Sequence, residues 1–431
     1  MQNNNPLWHP CTQMHDCETF PPPHIVSAQG SYLQLASGQK IIDAISSWWC
    51  KLLGHGEPRI KQALIKQTEM LEHTLLGHAT HDTIEHLSQA LTKLSPHLNK
   101  VFYASDGSVA TEIAMKMSVQ AQQLRGQAHR TQFAALQHSY HGETGLALAV
   151  SDLGLYRETF QSILMPTHFM QDIPYVNSPN DQLWQDCGKI WAKLEAQLNP
   201  LSDQLAAIII EPLLQGAGGM RIYSQDLLPR LSQWARQHDV YLIADEILTG
   251  LGRLGTSLAC QLADIEPDFI CLGKGLTGGW LPMSAVLTKN EIYDLFYDDY
   301  SRGKTFMHSN TFAGNPLAAA TALATLTILE QDDIYAYVNQ HKSLLYQYMQ
   351  DIADKTGLLT NVRSLGFMAA ADLVSTHPRA GFKVYQHALT LGAFLRPLGN
   401  TIYWLPPLNM ELTTLNELRD ITLEAITQAI F

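Results

Sequence analysis

Lys274 follows the apolar run DFICLG and precedes GLTGGW, so a long amine leaves a dry strand end for backbone that glycine makes permissive. Desolvation lowers a lysine pKa, and a neutral amine is the nucleophile that Schiff-base chemistry requires. A lysine that merely snorkels out of a strand is the plainer alternative, and the commoner one for such a residue alone. Asp245 ends the preceding apolar run, VYLIAD. A carboxylate there needs a cation or donors to stay ionised; a protonated pyridine nitrogen would serve, and so would a cap or a loop salt bridge. An acid and a lysine at the ends of consecutive strands favour a shared site over two unrelated surface groups.

Gly107 and Ser108, in SDGSVATE, offer amides, a hydroxyl and the positive end of a helix to a phosphate, although an ordinary N-cap would also explain Ser108. Tyr140, in HSYHGET, could lay its ring on a planar cofactor or simply pack. His138 and His141 flank it with H-x-x-H spacing, but no third-ligand pattern accompanies them, so no metal site is expected. GLGRLG, residues 250–255, matches the dinucleotide pattern G-x-G-x-x-G after a strand. Asp245 and Glu246 beside that turn would repel a pyrophosphate, which makes a nicotinamide-dependent oxidoreductase the minority reading.

The elements that must hold these residues read as a parallel α/β sheet. TQFAAL, LAAIIIEP, VYLIADE and DFICLGK are short apolar or β-branched runs that end in polar turns. KVFYASDGS leads into a helical segment with Ile113, Met117, Ala121 and Leu124 on one face. Ligands of such sheets bind beyond the carboxyl ends of the strands, where the polar residues cluster. After the Ala- and Leu-rich helix NPLAAATALATLTILE, mixed pieces such as LGFMAAADL and TIYWLPP indicate a smaller C-terminal domain.

With 431 residues, 46% of them hydrophobic and 16% charged, the chain has the make-up of a folded globular protein of two or three domains. A net charge of -12 argues against nucleic acid and anionic membranes as partners but leaves small phosphorylated ligands open. Six scattered cysteines form no C-x-x-C pair and read as reduced thiols. MQNNNPLWHP lacks the features of a signal peptide, and no apolar run approaches the ~18 residues of a membrane span, so a cytoplasmic location is expected.

Taken together, ADEILTGLGRLG, CLGKGLTGG, EPLLQGAGGM and TFAGNPLA resemble the class III, or omega, aminotransferases of the fold-type I pyridoxal-phosphate superfamily, over nearly the whole chain. The ordered set Glu211, Asp245, Lys274 and Thr311 is the most specific part. The resemblance implies an α/β fold: a large cofactor-binding domain with a mostly parallel sheet over residues 56–315 and a smaller α+β domain over 316–431. The N-terminal segment 1–55 contributes to the small domain and the substrate site. It implies pyridoxal 5'-phosphate as cofactor, with Gly107 and Ser108 on its phosphate, Tyr140 against the ring, Glu211 beside it, Asp245 on the pyridine nitrogen and Lys274 as covalent link and catalyst. It also implies a homodimer in which Thr311 reaches the partner's cofactor phosphate.

Within the class, SSWWCKLLGHG, HPCTQM, SYHGET and LRPLGN are similar to members that convert 8-amino-7-oxononanoate to 7,8-diaminononanoate in biotin synthesis. The expected donor is S-adenosyl-L-methionine, although lysine serves some relatives. By that similarity Trp48 and Trp49 wall the substrate site together with Tyr140 and Ser309, Arg396 pairs with the keto substrate's carboxylate, and Arg253 is a second anion contact. An apolar chain ending in an anion suits indole walls and a guanidinium fork; core packing is the alternative for the tryptophans. Aminotransferases of ornithine or 4-aminobutyrate are the nearest rivals. The chain departs from the pattern at Cys11, where Tyr is usual, at Ser309 and Asn310, where Gly and Pro are common, and at Glu143, where Asp is common.

Overall fold

The computed structural model describes residues 6–429, so the first five residues of the N-terminal segment and the last two of the C-terminal part lie outside the described residues. A seven-stranded sheet organises the larger part, in the order Lys100–Ala104, Ser284–Thr288, Phe269–Leu272, Tyr241–Asp245, Leu205–Ile210, Gln132–Leu136, His168–Met170. Only Ser284–Thr288 runs against its neighbours; the other pairings are parallel. Every residue of the three central strands is buried, as a sheet covered on both faces requires.

Alternation along these strands divides the core in two. Ala207, Ile209, Tyr241 and Ile243 pack with Ile113 and Met117 of the helix Gly107–Leu124. Ile208, Ile210, Leu242 and Ala244 pack with Leu231 and Trp234 of the helix Leu227–Gln237. The runs expected to be strands are strands, and the residues expected to do chemistry follow their carboxyl ends: Gly107 after Ala104, Tyr140 after Leu136, Glu211 after Ile210, Asp245 at its own strand's end, Lys274 after Leu272.

A second region is built on the antiparallel strands Leu359–Ser364, Ala369–Leu373 and Thr401–Trp404, with the helices Ala380–Leu391 and Leu412–Gln428 packed on each other. The N-terminal strands Ile25–Gln29, Tyr32–Leu35 and Lys40–Asp43 join it through parallel pairing of Ile42 with Ala393 and Asp43 with Phe394. The helix Pro316–Gln331, capped by the Asn315 side chain accepting from the Leu317 and Ala318 amides, packs on the helices Pro58–Thr68 and Asp82–Leu94. Two buried arginines stitch the regions. Arg363 donates to the Gly219 and Met220 carbonyls while pairing with Asp372 at 2.8 Å, and Arg253 donates to the carbonyls of Phe367 and Pro406.

Candidate active site

A cavity of about 420 Å³ opens beyond the carboxyl edge of the large sheet, and Lys274, Asp245, Glu211, Tyr140, Gly107, Ser108 and Trp49 all line it. Lys274 begins a short 3-10 turn at φ +42°, so its side chain turns into the cavity as soon as the strand has ended. Its ammonium sits 4.9 Å from the Trp49 ring centre. Burial lowers the amine's pKa, while the carboxylates of Asp245 and Glu211 pull in the opposite direction.

Asp245 is held by register at the end of its strand, opposite Cys271. Its Oδ2 lies 2.8 Å from Nδ1 of His141, and its Oδ1 accepts from the Ile247 amide at 3.1 Å. His141, buried with Nε2 unpartnered, therefore backs the carboxylate rather than joining His138. The two H-x-x-H rings have separate surroundings, His138 lying near the Tyr175 ring, and no group of three or more candidate metal ligands occurs among the described residues. Glu211 accepts from the amides of Tyr140 and Gly216, both at 2.9 Å. Burial and the nearby Asp245 push its carboxyl up to about 7, against the pull of His141 and those two amides.

At the other end of the cavity the N-cap of Gly107–Leu124 is Asp106, whose side chain accepts from the Val109 amide. Ser108 is thereby free of capping duty. Its Oγ lies 2.8 Å from the Thr144 hydroxyl and accepts from the amides of Glu143 and Thr144, both at 3.1 Å. Two hydroxyls, two loop amides and a helix N-terminus converge there, an arrangement suited to a phosphate. A Cβ on Gly107 would come 2.9 Å from Cδ1 and 3.1 Å from Cγ2 of Ile247, so a larger residue here would have to displace that side chain. Thr144 was not among the expected residues; the signal was present in SYHGET, one residue before the short helix Gly145–Ala149.

The mouth of the cavity is aromatic. Tyr140 donates its hydroxyl to Glu143 at 2.9 Å and meets the Tyr156 ring edge-on. Burial and the Cys11 side chain push the Tyr156 phenol up to about 12, which places Cys11 at this rim. Trp48 is 42% exposed and lies under the Arg396 guanidinium at 4.0 Å, whereas Trp49 is buried and donates its indole N–H to Tyr403 at 3.0 Å. Among the described residues Arg396 makes no hydrogen bond or ion pair, so its charge is available to an anion.

Five expected residues do not line this cavity: Trp48 and Arg396 stand outside it, near Tyr156 of the rim, and Arg253, Ser309 and Thr311 lie elsewhere. Arg253, within the Gly250–Gly255 turn, is fully buried; burial alone lowers its pKa to about 9, and its Nε and Nη2 have no partner among the described residues. Ser309 and Thr311 are exposed on the segment before Pro316, outside their own chain's cavity. The turn 250–255 is itself buried, with Gly252 against Tyr335 and Gly255 against Asn339, and only the short, largely buried 3-10 helix Ala259–Ala263 follows it, so it lacks the open α-helix N-terminus a pyrophosphate would need.

Residues 15–430 match the family model described as aminotransferase class-III. The chain is 39% identical over 406 residues to the adenosylmethionine-8-amino-7-oxononanoate aminotransferase of Helicobacter pylori, covering 93% of this chain and 91% of that one. It is 37% identical over 431 residues to the enzyme of the same name from Synechococcus elongatus, covering 98% and 97%. Among solved structures, that of the Methanocaldococcus jannaschii enzyme of this name superposes with a TM-score of 0.91 at 32% identity, over 99% of this chain and 97% of that one. An amine transaminase from an uncultivated Pseudomonas species, solved with pyridoxal phosphate bound, gives 0.91 at 28% identity over the whole of both chains.

Proposed function

The chain belongs to the class III aminotransferases, and we propose that it aminates 8-amino-7-oxononanoate to 7,8-diaminononanoate, a step of biotin biosynthesis, with S-adenosyl-L-methionine as amino donor. The observation that carries the reading is one cavity holding a buried amine and a backed carboxylate, with the unpaired Arg396 on Trp48 at its mouth. The residues fit pyridoxal 5'-phosphate: an anion-ready cluster lies at one end, Asp245 faces the same cavity, and Lys274 and Tyr140 line it. When bound, that cofactor supplies the electron sink that loosens a proton on the amine-bearing carbon and then carries the amino group between substrates.

In this proposal Gly107, Ser108 and Thr144 hold the phosphate, and Tyr140 packs against the ring. The Asp245 carboxylate keeps a proton on the pyridine nitrogen, with His141 fixing the carboxylate's orientation. Lys274 is the covalent anchor and, once released, the base: its Nζ takes the proton from the donor carbon and hands it on from the same face, and burial helps by favouring the neutral amine. Trp49 and Glu211 keep water from the amine end. Arg396 pairs with the keto substrate's carboxylate while Trp48 covers its methylenes.

The assembly is a homodimer, with Thr311 of each chain completing the other's phosphate site and Ser309 near the substrate. Arg253, read from the sequence as a second anion contact, is sealed away from the cavity and donates to the carbonyls of Phe367 and Pro406, so no anion contact is assigned to it. The division into 1–55, 56–315 and 316–431 belongs to the same proposal, as does a cytoplasmic location; the pairing of Asp43 with Phe394 supports the joining of 1–55 to the small domain, whereas the helix Pro316–Gln331 packs on Pro58–Thr68 and Asp82–Leu94 of the large one. Among the described residues no helix is long and apolar enough to cross a membrane. The test is a pair of spectral half-reactions: adenosylmethionine should bleach the yellow enzyme and lysine should not. Bleaching by lysine alone would overturn the donor assignment, and failure of the bleached enzyme to recover its colour with 8-amino-7-oxononanoate would overturn the acceptor.

A further inference from the structure

The two tryptophans sit on a turn whose backbone no glycine relieves. Ser46, Ser47 and Trp49 all have positive φ, at +51°, +62° and +67°, a conformation that side-chain-bearing residues adopt only when their surroundings enforce it. What enforces it here is Asp43, fully buried at the end of the strand Lys40–Asp43. Its carboxylate accepts from the Ser47 amide at 2.7 and 2.9 Å, from the Ser47 hydroxyl at 3.0 Å and from the Ile45 amide at 3.4 Å. His55 Nε2 lies 2.8 Å from Oδ2, and the His55 backbone is itself tied in both directions to Gly30.

The outcome of that turn is that consecutive indoles serve different cations. Trp49 lies under Lys274, at the reacting end, and Trp48 lies under Arg396, at the carboxylate end. Asp43 is also paired in the sheet with Phe394, two residues before Arg396. Asp43 therefore holds the turn bearing the indoles through its carboxylate and pairs through its backbone with the strand leading to the arginine.

We infer that Asp43 and His55 are positioning residues that, through Ser47, set the spacing between the Lys274–Trp49 and Arg396–Trp48 pairs, and with it the length of keto acid the site accepts. This rests on Arg396 being the carboxylate contact. Asn at 43 offers a single acceptor oxygen and turns an NH₂ toward donors, so Ser47 is released and the two indoles lose their fixed separation.

The holoenzyme and its Asp43→Asn variant should be compared with 8-amino-7-oxononanoate and with the analogue one methylene shorter. The wild type should prefer the natural chain length by roughly 10- to 100-fold in kcat/KM, the worth of one methylene in a fitted site. In Asp43→Asn that preference should fall below about threefold. The KM for the keto acid should rise about tenfold, with the donor half-reaction rate within about threefold of wild type. Calorimetric binding of the keto acid to cofactor-free protein should weaken in parallel. If Asp43→Asn does not fold, His55→Leu should reproduce the loss of length discrimination and His55→Gln, which keeps a donor near Nε2, should largely restore it.

Unchanged chain-length preference in folded Asp43→Asn, or equal behaviour of His55→Leu and His55→Gln, overturns the inference. Arg396→Ala separates the two levels. A raised keto-acid KM in Arg396→Ala beside an unaffected Asp43→Asn rejects the positioning role alone, whereas an unchanged KM in Arg396→Ala rejects the substrate reading beneath it.

Discussion

Lys274 has two duties in the proposed mechanism, and one substitution separates it from every neighbour. In Lys274→Ala the cavity keeps its carboxylate, aromatic wall and phosphate-ready end, but no amine remains to move the proton. Turnover should fall by about 10³-fold or more, the scale expected when a general base is removed. Borohydride treatment followed by mass mapping should leave the peptide containing position 274 unmodified by cofactor. Glu211 makes a different kind of prediction. Its carboxyl titrates near 7 in the folded protein against an ordinary 4.5, so between those values the folded chain holds more protons than the unfolded one. Stability from this group is complete below about pH 4.5 and is lost as pH climbs through 7, by up to about 3 kcal/mol. Gln at 211 cannot ionise. Denaturant melts of cofactor-free protein at pH 5 and pH 8 should therefore show Glu211→Gln gaining on the wild type at the higher pH by an amount of that order.

The loop from Ser139 to Thr144 works as one element, because Ser108 fills the space over Gly142. Gly142 has φ +127°, and a Cβ there would come 2.8 Å from Cα of Ser108 and closer still to its hydroxyl. Gly142→Ala should push Ser108 off the amides of Glu143 and Thr144 and weaken cofactor binding about tenfold or more, the loss of a hydrogen bond to a charged group. Absorbance titration of the apo-protein with pyridoxal phosphate reads this directly, with far-ultraviolet circular dichroism unchanged. Elements of this kind divide according to how much of them the sequence carries. Asp245 and Lys274 were legible because an apolar run of four or five residues ending in one polar group marks a buried strand's carboxyl end. Thr144 was harder to see, since its role depends on Asp106 taking the N-cap and freeing Ser108. The Asp43 clamp was invisible. Serine and tryptophan give no sign of positive φ, and the carboxylate and imidazole that impose it are twelve residues apart. Arg253 lies in the turn that mimics a dinucleotide fingerprint, and only its packing against Phe367 and Pro406 shows the glycines serving contact between regions.

At the scale of the whole molecule, the segment carrying Thr311 points away from its own chain's chemistry. Phe306 anchors it against Phe102 and Phe296, Gln120 holds the carbonyls of Lys304 and Thr305, and Lys116 lies 3.0 Å from His308. Beyond these anchors Met307 is 80% exposed and Phe312 63% exposed, with Tyr300 nearby in sequence at 89%. Large apolar side chains shown to water on a well-anchored arm suit burial against a second copy. If Thr311 completes the partner's phosphate site, then Thr311→Ala should weaken cofactor affinity about tenfold or more, the worth of one hydrogen bond to a charged group. Mixing supplies the decisive measurement. A Lys274→Ala chain still carries Thr311, and a Thr311→Ala chain still carries Lys274, so a mixed dimer contains one site intact in both respects and one lacking both. Co-refolding the two variants and isolating the mixed species should recover wild-type affinity in one of its two sites, with about half the wild-type turnover. Should Thr311 instead act within its own chain, the site bearing Lys274 in the mixed species would stay as weak as in the Thr311→Ala parent, and the crossed contribution would be disproved.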